Sequence, residues 1–371
     1  MKTHYRFLLS ILILVSMVGA LFTSFSFASS QTESPYQVYL PVLMKNPHTD
    51  PPAYYGVSRY MNTIDPVKSY VYGCQAGSTD KQLAGKQDKI IILAYGQPWG
   101  QNGEYGVWYY SGTFASTAVI AESAKQFAYG YWVCTGSDTE STIELVIGTS
   151  NFAKYDKGKC TEGSWFCNTT VAYEHGKRWA LMVKDVSNWV VKNGISGQVS
   201  IAGGNDIEFL WNTPAITKAW IQGYDAFDEN RYKLYNFGSC DACPYVGSTW
   251  HPPANNWTMS DAYYVAWGAA PVWPIPEIYL TTGKNAKEWA YLSYWGTINN
   301  RSKIQFQGTL TQWQACLQRG GCVVYDQYGN VLYGSNNTPE EGWLQLINEI
   351  NRWTSTAQST IRWQTDIRWS P

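Results

Sequence analysis

Residues 198–211 read QVSIAGGNDIEFLW, a short apolar strand that runs directly into two acidic residues. Val199 to Ala202 has the composition of a buried strand, and Asn212-Thr-Pro214 begins a helix, with Pro214 at the first helical position. Asp206 and Glu208 therefore lie where a strand ends and before a helix begins. Because residues i and i+2 of a strand point the same way, we expect both carboxyl groups to face one point.

The same alternation of strand and helix recurs along most of the chain. Lys89–Tyr95 (KIIILAY) is a continuous apolar run typical of a strand buried on both faces, and Lys177–Lys192 carries the clearest helical stripe. Residues 361–369 alternate apolar and polar side chains, as a strand with one polar side does. Further strands are predicted at residues 143–148, 198–202, 232–236, 263–267, 276–280 and 304–306.

This alternation predicts an α/β fold of the TIM-like (β/α) barrel type, irregular, with seven or eight strands and disulfide-stapled loops. An open doubly wound sheet is the alternative, although no GxGxxG or P-loop motif supports it. In a barrel, the carboxyl ends of the strands form the face that carries active sites. Asp206 and Glu208 are therefore expected on that face.

The first 28 residues have the properties of a signal peptide. Lys2 and Arg6 precede an apolar run from Phe7 to Phe22, and Ser26-Phe27-Ala28 offers a cleavage site after Ala28. An uncleaved anchor is the alternative. We expect a secreted, extracellular protein with no membrane segment after cleavage. Residues 29–85 are predicted to be a linker and N-terminal extension, and residues 86–371 the barrel.

Composition narrows the choice of partner. The chain has 27 Lys and Arg against 28 Asp and Glu, and no basic cluster, which argues against nucleic acid or an anionic membrane. Its 19 Trp and 28 Tyr exceed what a core of this size requires. Such rings suit stacking on sugar rings or bases, although a large aromatic core is expected to take most of the Trp residues. We therefore expect a polysaccharide partner, a monomeric protein, and no metal or cofactor.

Eight cysteines in an exported chain predict disulfide bonds. Three pairs are close in sequence, namely Cys160 with Cys167, Cys240 with Cys243, and Cys316 with Cys322, which leaves Cys74 with Cys134. The spacing of Cys240 and Cys243 also occurs in redox and zinc sites. No second CxxC accompanies it, so a structural disulfide is the favoured interpretation.

Three interpretations of Asp206 and Glu208 are open from the residues alone. In a catalytic pair, mutual repulsion and aromatic surroundings would raise the pKa of one carboxyl so that it can donate a proton at neutral pH. The alternatives are structural hydrogen bonding and metal binding. Two nearby residues at strand ends, Tyr235 and Asn236, together with Trp267, Tyr279 and Trp211, are candidates for hydrogen bonding to or stacking on a sugar.

The segments GGNDIEFLW, AWIQGY (219–224), LYNFGSCDACP (234–244), WGA (267–269) and PEIY (276–279) resemble a group of secreted bacterial proteins of the glycoside-hydrolase-like TIM-barrel superfamily. The chain is similar, more distantly, to lysozyme-type barrels that cleave the amino-sugar backbone of peptidoglycan with a DxE strand. The resemblance covers roughly residues 86–350. Lysozyme-type barrels carry a further acid near the first strand, where this sequence reads Ala94-Tyr-Gly-Gln-Pro98.

The resemblance implies a role for each acid. Glu208 would be the general acid that protonates the glycosidic oxygen, and Asp206 would stabilise the oxocarbenium-like charge or orient a 2-acetamido group. The expected function is a secreted glycoside hydrolase acting on a polysaccharide, and peptidoglycan or another amino-sugar polymer is the first candidate substrate. The alternative is a catalytically silent carbohydrate- or cell-wall-binding barrel.

Overall fold

The computed structural model describes residues 54–370 except 137, 139, 154, 157–158, 161–165, 253–254, 326–330 and 335–336. The predicted signal peptide and residues 29–53 of the predicted extension lie outside this range. None of the helices in the described ranges is both long and apolar enough to span a membrane.

Eight parallel strands form the centre of the structure. They are β1 (Tyr55–Tyr60), β2 (Asp88–Ala94), β3 (Thr142–Ser150), β4 (Val199–Asp206), β5 (Leu234–Asn236), β6 (Val272–Pro274), β7 (Gly308–Thr311) and β8 (Trp363–Trp369). Their hydrogen-bonded order is β6-β5-β4-β3-β2-β1-β8-β7. Glu277, just past β6, bridges to Leu310 of β7, which nearly closes the ring. The predicted TIM-like barrel is confirmed.

Helices cover the outside of the barrel. They are α1 (Pro66–Gln82), α2 (Thr117–Cys134), α3 (Thr169–Lys192), α4 (Pro214–Asp225), α5 (Met259–Tyr263), α6 (Lys284–Ile298), α7 (Trp313–Gln318) and α8 (Pro339–Ile350), and a π-helical turn, Tyr264–Gly268, continues α5. Thr338 and Glu341 form the capping box that begins α8. Short strands outside the barrel are Gly96–Gln101, Glu104–Tyr109, Phe114–Ser116, Tyr155–Asp156, Lys159–Cys160, Val323–Tyr325 and Val331–Gly334.

The beginning of the barrel corrects the predicted boundary at residue 86. Strand β1 and helix α1 both lie inside the segment assigned to a linker and extension. The sequence of β1, YGVSRY, has no apolar run, because the polar residues Ser58 and Arg59 occupy buried positions in it. Periodicity therefore gave no strand signal there, although Asp65 and Pro66 are a normal start for α1.

A second correction concerns the region between β5 and β7. Residues 263–267, predicted as a strand, lie in α5 and the π-helical turn that follows it. The capping box of Thr258 and Asp261 begins this helix, whereas a short apolar run alone does not distinguish a helix from a strand. The strands of this region are β6 and β7, near but not at residues 276–280 and 304–306.

Side chains fill the inside of the barrel, so it is a packed core with a polar mouth. The interior cluster includes Ile90, Ile92, Val146, Ala202, Tyr235, Phe237, Ile275, Leu310, Trp363 and Ile367. A larger cluster lies between the strands and the helices. Both clusters leave the carboxyl ends of the strands as the place where polar groups collect.

Three predicted disulfide bonds are confirmed. They join Cys74 of α1 to Cys134 of α2, Cys240 to Cys243, and Cys316 to Cys322. Cys167 is also disulfide-bonded. Its predicted partner Cys160 has a side chain outside those that the structure describes, so that pairing stays a prediction.

Candidate active site

Three carboxyl groups meet at the mouth of the barrel. Asp206 is the last residue of β4, Glu208 follows two residues later, and Glu277 lies three residues past β6. One oxygen atom from each carboxylate lies within 4.8 Å of the others. Asp206 and Glu277 are buried and Glu208 is partly exposed. The predicted pair is therefore part of a trio, hereafter the acid trio.

The turn after β5 holds the two acidic segments together. The backbone of Gly238 lies so close to Ile207 that a Cβ on this glycine would come within 2.2 Å of the Ile207 carbonyl oxygen. The amide of Glu277 donates to the Gly238 carbonyl at 3.1 Å. Gly238 is therefore a spacer of minimal size between the DIE segment and Glu277. A larger residue there would push the carboxyl groups apart.

Asn151 fixes the backbone of Glu208. Its side-chain oxygen accepts from the Glu208 amide at 3.1 Å, and its side-chain nitrogen donates to the Glu208 carbonyl at 2.9 Å. Asn151 follows directly after β3, and it is buried. Both peptide groups of Glu208 are thus satisfied by one neighbour, which leaves the carboxyl group free to face the mouth.

The floor beneath the acid trio is apolar. Gly148 of β3 and Gly204 of β4 leave room for the ring of Phe237, which would lie 2.9 Å and 2.8 Å from a Cβ at these positions. Phe237 is buried and belongs to the interior cluster. Gly204 is two residues before Asp206 and faces the same side. An aromatic ring therefore lies next to the strand segment that ends in Asp206.

This setting raises the pKa of every member of the trio. Burial is the largest cause for all three groups. The negative charge of Asp206 raises the pKa of Glu208 further, and Asp206 and Glu208 together raise the pKa of Glu277. Asp241, just past β5, adds to the repulsion on both glutamates. Three such groups cannot all be ionised together, so at least one holds a proton near neutral pH.

The hydrogen bonds of the three carboxyls differ. The Tyr279 hydroxyl donates to Glu277 and lowers its pKa, in opposition to burial. The Oδ1 atom of Asp206 is buried without a hydrogen-bond partner in the described part of the chain. No Lys or Arg within the described ranges lies within ion-pair distance of any of the three. The trio is therefore not neutralised by basic side chains.

Aromatic rings surround the mouth. Tyr60 at the end of β1 and Trp369 at the end of β8 have ring centroids 4.7 Å apart, and Tyr110 contacts both, at 4.9 Å and 5.5 Å. Tyr110 also borders a groove of about 320 Å³. Trp211, one of the predicted substrate-binding residues, lines the same groove. Other rings of this groove belong to Trp108, Tyr109 and Phe152. This groove is a surface on which sugar rings could stack.

Three of the predicted substrate-binding residues lie elsewhere. Tyr235 is fully buried, and its hydroxyl accepts from Lys233, before the start of β5, so it points away from the mouth. Asn236 is a structural residue that donates to the Val265 carbonyl and accepts from the Gly238 amide. Trp267 lies on the π-helical turn and donates to the Ser302 hydroxyl, between α6 and β7. Lying near a strand end in sequence did not place these side chains in the mouth.

Glu277 is the site residue that the sequence analysis missed. A usable signal was present, because Tyr279 was selected as a mouth residue and Glu277 is two residues before it on the same extended segment. The resemblance to lysozyme-type barrels implies a further acid near Ala94–Pro98, at the end of β2, where the sequence has none. The third carboxyl group comes instead from beyond β6.

The acid trio also has the chemistry of a site for a hard divalent cation. Carboxylate oxygens are the ligands that Mg²⁺ and Ca²⁺ prefer, and three of them converge here. Asp206, Glu208 and Glu277 are the residues that could hold such an ion. The same groups, with raised pKa values, are equally a proton-transfer site, and a chelator distinguishes the two.

No protein-family model matches the chain, and no curated protein matches it. Among solved structures, a sugar phosphate isomerase/epimerase from Parabacteroides distasonis aligns with a TM-score of 0.40 and 10% identity over 86% of this chain and 89% of that chain. A GH5-4 broad specificity endoglucanase from an uncultured bacterium aligns with a TM-score of 0.38 and 10% identity over 87% of each. The barrel assignment rests on the strand order and register described above.

Proposed function

We propose that this protein is an exported glycoside hydrolase that cleaves a polysaccharide by carboxyl acid/base catalysis, with an amino-sugar polymer such as peptidoglycan as the first candidate. The observation that carries the proposal is the acid trio, with oxygens within 4.8 Å of one another in an aromatic mouth. Glycosidases need one protonated and one ionised carboxyl group on either side of the scissile bond. Export is consistent with the disulfide bonds and the apolar N-terminal segment.

The environment of each acid suggests its role. Glu208 is the most exposed member, and its raised pKa keeps it protonated, so it is best placed to protonate the glycosidic oxygen. Glu277 accepts a hydrogen bond from Tyr279, which favours its ionised form. Asp206 and Glu277 then share one negative charge that faces the anomeric carbon, where it stabilises the oxocarbenium-like transition state.

The spacing favours retention of anomeric configuration. In retaining glycosidases the two carboxyl groups lie about 5–5.5 Å apart, whereas inverting enzymes need about 6.5–9.5 Å to admit a water molecule. One oxygen from each carboxyl group of the acid trio lies within 4.8 Å of the others, which is closer to the retaining spacing than to the inverting one. A covalent intermediate on Glu277, or attack by a substrate 2-acetamido group held by Asp206, is consistent with this geometry.

A catalytically silent carbohydrate-binding barrel is the second candidate, favoured by the aromatic mouth alone. A silent scaffold has no need of unneutralised buried acids, which destabilise the fold, and would pair them with backbone amides or an arginine. Asp206 Oδ1 lacks any hydrogen-bond partner in the described part of the chain. This supports the enzyme over the silent scaffold.

The deciding experiment measures release of reducing ends from a panel of polysaccharides that includes peptidoglycan and chitin. Glu208→Gln should reduce the hydrolysis of natural glycans by about 10³-fold, because the leaving oxygen needs a proton. The same variant should keep most of its activity on aryl glycosides with an acidic phenol, which leave without protonation. Glu122→Gln, an exposed position on α2, is the matched control. Binding without any hydrolysis by wild type favours the silent barrel, and the hydrolase proposal then fails.

A chelator separates proton transfer from metal chemistry at the same residues. If the acid trio acts by acid/base catalysis alone, dialysis against EDTA leaves the rate unchanged. Loss of activity with EDTA and its return with a divalent cation would assign the trio to a metal site. That result overturns the roles given above while leaving the site itself in place.

A further inference from the structure

Two arginines lie side by side on the outer face of the barrel. Arg59 of β1 and Arg368 of β8 are direct partners in the parallel register of these strands. Arg59 is only 4% exposed, and Arg368 is partly buried. Their side chains point away from the barrel interior, towards helix α1, because the interior is filled by the alternate residues of the same strands.

Neither guanidinium group makes an ion pair with an acidic side chain of the described residues, although the charge of Asp366 opposes, from a distance, the lowering of the Arg368 pKa by burial. Among the described residues, none forms a hydrogen bond or ion pair with the side chain of Arg59 or Arg368, and the Nε atom of each is buried without a partner. Arg59 lies over the ring of Tyr72 on α1, with its Cζ atom 5.7 Å from the ring centroid. A guanidinium group carries five N–H donors and stays protonated. In Arg59 and Arg368 these donors face a cavity rather than a carboxylate.

The cavity next to the two arginines is large enough for a small ligand. It has a volume of about 240 Å³ and lies between α1 and strands β1, β2 and β8. Its polar lining consists of Arg59, Arg368, Lys89, Asp80, Gln75, Thr79 and Tyr55, whose hydroxyl donates to Glu340 outside the lining. Lys89 and Asp80 form an ion pair with each other, so the two arginines leave the cavity lining with a net positive charge, which Asp366 offsets only from a distance. The exposed residues Gln75 and Thr79 leave it open to solvent.

This arrangement is unfavourable in an empty cavity. Burial and, to a smaller extent, the neighbouring charge of Arg368 together lower the pKa of Arg59 to about 10. Two buried like charges without a counter-ion destabilise the folded state, whereas an anion between them removes both the repulsion and the unsatisfied donors. Bidentate contact with carboxylate, phosphate or sulfate is the interaction that guanidinium groups make best.

We propose that the cavity between α1 and the β1–β8 pair is a binding site for a small oxoanion, held by Arg59 and Arg368. Phosphate, sulfate and the carboxylate of a small organic acid share the required chemistry. Because β1 and β8 are held together at this point, an anion that bridges the two arginines also ties these two strands. Binding to the folded protein alone then raises its stability in proportion to the logarithm of anion concentration.

The test is thermal unfolding of the full chain at pH 7 in sodium chloride, sulfate, phosphate or succinate, all at equal ionic strength. Wild type should show a Tm higher by about 2 °C or more in at least one oxoanion than in chloride. Sulfate and phosphate also stabilise proteins non-specifically, so the comparison between variants decides. Succinate distinguishes a carboxylate ligand from a tetrahedral one, and titration calorimetry with inorganic phosphate measures binding to wild type directly.

Arg368→Gln is the informative variant, because Arg368 is less buried than Arg59 and the change is less disruptive. It should lose the oxoanion-specific increase in Tm, and in chloride it should unfold at the same temperature as wild type or higher, since the repulsion is gone. Arg178→Gln, an exposed position on α3, should retain the full increase. An equal increase in Arg368→Gln and wild type, or no oxoanion-specific increase in wild type, overturns the proposal.

Discussion

The mouth of the barrel and the cavity beside β1 and β8 both bury like charges, but they resolve the repulsion differently. In the mouth, Asp206, Glu208 and Glu277 can each take up a proton. Their pKa values are raised, so at least one of them is protonated near neutral pH. Arg59 and Arg368 cannot lose a proton near neutral pH, so their charge persists. Buried carboxyls therefore favour proton transfer, and buried guanidiniums favour binding of a counter-ion.

The largest expected effect is on catalysis in the mouth. Glu277→Gln should lower kcat on a natural glycan by about 10³-fold, because the charge that faces the anomeric carbon is lost. Tyr279→Phe removes only the hydrogen bond to Glu277 and should cost about 10-fold. Steady-state kinetics on the best substrate of the panel measure both. A Glu277→Gln enzyme within a few-fold of wild type would remove Glu277 from the mechanism.

Two disulfide bonds allow the two regions to be disturbed separately. Cys74–Cys134 joins α1, which covers the arginine cavity, to α2 across 60 residues, so replacing both cysteines by serine should cost about 4 kcal/mol of unfolding free energy. Cys240–Cys243 flanks Asp241 beside the acid trio and closes a loop of only 3 residues, so its loss should cost about half as much.

Denaturant unfolding gives the two stabilities, and kinetics on folded enzyme give the two activities. The Cys74–Cys134 variant should keep its kcat below its unfolding transition. The Cys240–Cys243 variant should show a changed pH–rate profile, because Asp241 then lies differently relative to Glu208. Equal effects of the two variants on activity would mean that α1 and the mouth are not separate regions.

The smallest expected effect is a pH-dependent gain in stability. The pKa of Asp206 is raised in the folded state, so its contribution to stability is complete below its unfolded pKa of about 3.9 and is lost as pH rises through the raised value. Asp206→Asn should therefore stabilise the protein by about 1–2 kcal/mol at pH 8 and by almost nothing at pH 4. Urea unfolding at the two pH values measures this. A pH-independent difference contradicts the assigned shift.

The sequence allowed the barrel and two of the three acids to be placed correctly because both depend on local patterns. Strand β2 contains a continuous apolar run, β3 and β4 are mostly apolar, and the spacing of Asp206 and Glu208 follows from strand alternation. The sequence did not predict strand β1 because its buried residues include polar ones. Arg59 pairs with Arg368 of β8, near the other end of the sequence, and local patterns cannot show such a pairing.

The predicted substrate-binding residues that lie away from the mouth do so for a related reason. Tyr235 and Asn236 are close to a strand end, but their side chains are fixed by Lys233 and Val265, contacts that only the three-dimensional structure reveals. Glu277 joins the acid trio through the Gly238 backbone, a contact between segments from different strands. Local spacing predicts the direction of a side chain and does not predict which distant segment it meets.

The pairing of β1 with β8 has a consequence for how the barrel is made. Next to this pair, Asn62 donates to the carbonyl of Ser370, a residue 308 positions further along the chain. Contacts of such long sequence separation form late and slow the folding of a domain. During synthesis, β1 exposes an unpaired strand edge until the last strand arrives, so this edge is where a chaperone or a misfolded pairing would act first.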